Sequence, residues 1–65
     1  MKYEEVKRIL ISDIEEMKLM ANKYNMYSTE YIRGNIKGIL AGMHIAGVIT
    51  GVERLGLFDE VEHLL

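Results

Sequence analysis

Residues 31–46 read YIRGNIKGILAGMHIA, and this stretch decides the fold. At about 100° per residue, Ile32, Ile36, Ile39, Met43 and Ala46 fall into one aliphatic stripe of a helix. Gly34, Gly38 and Gly42 form a second stripe beside it, continued by Ala46 at the same four-residue interval and flanked by Tyr31 and Ile45. Each glycine in a helix interior costs roughly 1 kcal/mol relative to alanine, so three in one strip require a compensating contact. A strip without side chains lets another helix backbone come close. Only a narrow side, with Arg33, Lys37 and His44, suits water, and a helix apolar around most of its circumference is buried on more than one side.

Working outward, Tyr3, Val6, Leu10, Ile14, Met17, Ala21 and Tyr24 repeat at intervals of three and four, which predicts an amphipathic helix over residues 3–24. Its opposite face carries charged and polar residues, with Glu4 and Arg8 spaced for an ion pair. Leu19 projects among the polar positions and marks a candidate partner contact; an isolated exposed leucine is the plainer alternative. Asn25 to Thr29 carries turn and capping residues, so a second helix over residues 29–46 is expected antiparallel to the first. Tyr24, Tyr27 and Tyr31 crowd that corner, either as bundle-end rings with wet hydroxyls or as a binding patch.

After Ala46, Gly47 is suited to a left-handed cap, and Thr50 with Glu53 makes a T-x-x-E capping box. A third helix is expected over residues 51–64, with Leu55, Leu57, Phe58, Val61, Leu64 and Leu65 on one side and Glu53, Asp59, Glu60 and His63 on the other. Gly56 leaves open whether this segment is one helix or two collinear pieces. The first helix covers the aliphatic stripe of the second, and the short third helix covers part of the remainder. The surface left over fits a second copy of the chain, with Gly34, Gly38, Gly42, Ile45 and Ala46 at the interface. The expected fold is therefore all-α: one domain, residues 1–65, formed by an antiparallel helical hairpin plus a short third helix and paired into an intertwined homodimer.

Bulk properties point the same way. A 65-residue chain buries only about 60% of the surface its unfolded form exposes, and small domains add disulfides, a metal or a second subunit. No cysteine is present, which removes disulfides and thiolate zinc sites, and the absence of proline suits uninterrupted helices. A net charge of -2 gives no overall drive toward nucleic acid or anionic membrane. Alternating lysine and glutamate from Lys2 onward do not resemble a secretory leader. The longest run without a formal charge, Gly38 to Val52, is well short of the roughly 20 residues of a membrane span. A cytoplasmic protein is expected.

Chemistry-bearing motifs are sparse. Glu60 and His63 have the E-x-x-H spacing of dimetal helical bundles but lie on the polar side of the last helix, where they ligate only if a dimer turns that face inward. His44 lacks carboxylates nearby in sequence, and Ser12, Ser28, Thr29 and Thr50 have turn, cap or surface roles. No metal, cofactor or catalytic site is assigned, and no enzyme activity is expected. The junction around Gly47 superficially suggests a helix-turn-helix. Met43 stands where a small residue belongs, however, and the third helix carries Glu53, Asp59, Glu60 and Glu62 against Arg54 alone.

Elimination leaves a helical protein-interaction module that binds and modulates a larger protein. Leu19, Tyr24, Tyr27, Tyr31, Glu53, Asp59 and Glu60 are its candidate contacts. A small transcriptional regulator and a metal-binding helical dimer are the alternatives; salt-dependent DNA binding marks the first, and metal-dependent stabilisation the second. In size and style the chain resembles the helical accessory proteins of bacteriophages and mobile elements, including the Hachiman anti-defence family. That likeness is one of format, and it implies an inhibitor of host defence without assigning a role to any residue.

Overall fold

The computed structural model describes residues 3–65, so Lys2 at the start of the alternating charges lies outside the described residues. Helix α1 (Tyr3–Tyr24) begins with Glu4 and Glu5 in its first turn and has Lys23 in its last, both favourable to the helix dipole. It ends at Asn25, whose φ of 53° is left-handed, a conformation that asparagine tolerates better than most residues. Four residues later α2 (Thr29–Ile45) starts, with Ser28 as its cap: the Ser28 hydroxyl accepts the Tyr31 N–H at 3.1 Å. Such a short connection turns α2 back along α1.

Gly47 ends α2 in a Schellman motif. With Gly47 at φ 78°, its N–H reaches the His44 carbonyl at 3.1 Å and the Val48 N–H reaches the Met43 carbonyl at 2.9 Å. The stop fixes α2 at Ile45, one residue short of the expected end, and leaves Ala46 as an exposed cap outside the aliphatic stripe. Helix α3 (Gly51–Glu62) opens with a complete capping box: Thr50 Oγ1 accepts the Glu53 N–H at 3.1 Å, and the Glu53 carboxylate accepts the Thr50 N–H at 2.9 Å. Gly56 does not split α3, which runs unbroken through it.

The described residues contain three helices and no strand. Contacts fix their directions. Asn35 reaches back to Met17, whereas Arg33 meets Glu62, Lys37 lies over Phe58 and His44 neighbours Arg54, so α3 runs antiparallel to α2. Tyr3 meets Glu60 at one end of α1, and Lys18 donates to the Leu64 carbonyl toward the other. The result is an up-down-up bundle of 34 × 18 × 18 Å.

Its core is Val6, Leu10 and Ile14 from α1, Ile32, Ile36 and Leu40 from α2, Ile49 from the second connection, and Leu57 and Val61 from α3. Ile39 and Met43 pack at its edge. Leu40 replaces Ala46 in the stripe, because it lies on the side of Ile36 against which α3 packs. Leu55 departs from its expected place among the apolar residues of α3 and is 70% exposed. Two residues before Leu57 it points about 200° away, so one packed side cannot hold both. The Glu4–Arg8 pair is not among the ion pairs of the described residues.

Candidate interaction surface

The chain buries one side of α2 and leaves the other open. Gly34, Gly38 and Gly42 are exposed, and a Cβ placed on any of them meets nothing within 4 Å. Packing within the chain therefore does not explain these glycines. Tyr31, 55% exposed, and Ile45, 86% exposed, share their side of the helix, as does half-buried Ala41. No charged residue falls between them. Together these residues make an apolar, side-chain-poor face of a kind that monomers rarely expose.

Two grooves border that face. One lies between α1 and α2, has a volume of about 280 Å³, and is lined by Asp13, Glu16, Met17, Met20, Tyr31 and Asn35, with Tyr27 at its end. The rings of Tyr27 and Tyr31 stack there with centroids 4.8 Å apart and planes 14° off parallel. The other groove, also about 280 Å³, lies between α2 and α3 and is lined by Lys37, Leu40, Arg54, Leu55 and Phe58. The Lys37 ammonium sits 5.2 Å from the centre of the Phe58 ring, and Arg54 Nη1 is 3.5 Å from His44 Nδ1.

The residues singled out from the sequence are dispersed. Tyr27 and Tyr31 meet, while exposed Tyr24 sits in the last turn of α1 with Lys23 Nζ 5.3 Å from its ring centre. Leu19, 66% exposed, is on the side of α1 opposite Leu10 and Ile14, away from the glycine strip. The acidic residues of α3 are largely engaged within the chain. Glu53 closes the capping box, Glu62 lies 3.9 Å from Arg33, and Glu60 accepts the Tyr3 hydroxyl at 2.8 Å and pairs with Lys7 at 3.6 Å. Asp59 is exposed and outside these pairs. Among the described residues no group of three or more His, Asp or Glu is placed to hold a metal, so Glu60 and His63 gain no third ligand. No described helix is long and apolar enough to cross a membrane.

Tyr3 also explains Gly56. Its hydroxyl lies 3.2 Å from where a Gly56 Cβ would stand, and it donates to Glu60 one turn further on, so the seat and the acceptor share one side of α3. The hydrogen bond to Glu60, then burial, then the charges of Glu60, Glu4 and Glu53 push the Tyr3 pKa from 10.0 to about 12. A raised pKa favours the neutral phenol in the folded chain, so this stabilisation is full below pH 10 and is lost as pH rises toward 12. In an ultraviolet titration Tyr3 is expected to ionise in a late phase, near pH 12. Tyr3→Phe removes that late phase; a variant titrating like the parent chain would contradict the assignment.

Asp13 and Glu16 were not singled out from the sequence as site residues, Glu16 counting only toward the polar face of the first helix, although a signal was present. Asp13, Glu16, Met17 and Met20 are spaced three, one and three apart and so share one side of α1. Comparison of the chain with family models, with curated proteins and with solved structures finds no match.

Proposed function

We propose that this chain is a self-associating interaction module of the cytoplasm, a homodimer joined through the outer side of α2 that binds a larger protein and modulates or inhibits it. One observation carries the reading: Gly34, Gly38 and Gly42 stay open in the single chain, between exposed Tyr31 and Ile45. Helix-interior glycines carry a cost in the monomer, and a close helix contact outside it offsets that cost. A second copy has the same strip, so two backbones meet about a twofold axis without side chains between them. The stacked tyrosines, Tyr24 and Leu19 remain as contacts for the larger partner. Small phage-encoded inhibitors of host defence, which the chain resembles in format, are the kind of protein this reading describes.

Sedimentation equilibrium tests the dimer, and affinity capture followed by reconstitution from purified components tests the partner. A particle of twice the 7.5 kDa chain mass and a stoichiometric complex with one larger protein are expected. A 7.5 kDa species at every concentration overturns the homodimer.

A further inference from the structure

The two grooves beside α2 carry opposite charge. The α1–α2 groove is lined by the carboxylates of Asp13 and Glu16 and by no cation, whereas the α2–α3 groove is lined by the cations of Lys37 and Arg54 and by no carboxylate. None of these four side chains takes part in an ion pair among the described residues, where pairing joins Lys7 to Glu60 and Arg33 to Glu30 and Glu62. Between the two edges runs the charge-free strip of α2. One groove beside the apolar seam is therefore acidic and the other basic.

We propose that two copies pack with their α2 helices pointing the same way, so that the Asp13–Glu16 edge of each lies against the Lys37–Arg54 edge of the other. This rests on the self-association proposed above and specifies its geometry. Symmetry makes the choice. A twofold axis parallel to the helices exchanges the two margins, so acid meets base twice; an axis across the helices keeps each margin on its own side, so acid meets acid and base meets base. Opposed like charges select against an arrangement, and opposed unlike charges favour it and set its register. Parallel helix dipoles work the other way, but that effect is confined to the end turns and screened by salt. Asp13, Glu16 and Lys37 lie further inward, and only Arg54 stands beside the last turn of α2, next to His44. On α2 the acidic groove is centred near residue 33 and the basic groove near residues 38–39, an axial offset of about 8 Å that the long lysine, arginine and glutamate side chains span.

A charge-swap experiment tests the geometry, with circular dichroism and thermal melts confirming that each variant folds. One variant carries Asp13→Lys with Glu16→Lys; the other carries Lys37→Glu with Arg54→Glu. Each alone is expected to dimerise at least tenfold more weakly than the parent chain in sedimentation equilibrium at low salt. Mixed in equal amounts, they are expected to recover association as a heterodimer by native mass spectrometry, because all four contacts are then again acid against base. Neutral replacements, Asp13→Asn with Glu16→Gln, give a smaller loss, and mixed with the Lys37→Glu, Arg54→Glu chain they restore only one of the two edge contacts, so the rescue is weaker than that of the lysine variant. A parent dimer whose affinity survives either charge reversal overturns the parallel arrangement and leaves self-association standing. A parent chain that stays monomeric overturns both.

Discussion

Truncating Leu10 or Ile36 to alanine takes the chain to the edge of unfolding. Both side chains are fully buried, on facing helices of the hairpin, and both touch the one core that three helices share. Leucine or isoleucine to alanine in a packed core costs about 2–5 kcal/mol, the lost transfer energy plus a cavity that neighbours only partly fill. A chain of this length has a total stability of roughly 3–10 kcal/mol at the usual stability per residue. One such substitution therefore removes a large share of it. Urea titration followed by far-ultraviolet circular dichroism is expected to give a midpoint near zero denaturant for either variant. A loss under about 1 kcal/mol at both positions would mean that the core does not depend on these contacts.

The same core shows where sequence periodicity succeeds and where it stops. Val6, Leu10 and Ile14 on α1, with Ile32 and Ile36 on α2, repeat at helical spacing and are all buried, because a hairpin with a four-residue connection has only one way to join two apolar stripes. Caps were equally legible, since Ser28, Gly47 and the Thr50–Glu53 box act through their own neighbours in sequence. Leu40 was left out of the stripe and Leu55 was misplaced, both for a non-local reason. Where α3 crosses α2 decides which side of each apolar arc is covered, and no local spacing encodes that crossing. The charged grooves were hidden for the same reason: Lys37 and Arg54 come from different helices and become neighbours only when α3 folds back. Glu60 looked free for a partner because its contact, the distant Tyr3 hydroxyl, does not show in a charge pattern, while Glu53 is held by the capping box that its own spacing predicts.

Replacing Gly34, Gly38 and Gly42 together by alanine is expected to move folding and association in opposite directions. Within one chain the new methyl groups meet nothing within 4 Å, and each substitution removes the glycine penalty, so the monomer gains about 1 kcal/mol per site. For a domain of this size the gain across three sites raises the melting temperature of the monomer by more than ~10 °C. Association responds the other way, because the methyl groups hold apart two backbones that the bare strip lets touch. Gly38→Leu strengthens that contrast by putting an isobutyl group at the centre of the strip, where overpacking costs about 1–3 kcal/mol per contact and symmetry imposes it on both copies. In dilute solution, where the parent chain is monomeric, the alanine variant melts higher. In concentrated solution the parent gains stability from mass action and the variant does not, so the difference shrinks or reverses. Melting curves across a range of concentrations, with sedimentation equilibrium on the same samples, read both effects at once. A Gly38→Leu chain that stays fully dimeric would remove the strip from the interface, and the cost of its three glycines would then need another explanation.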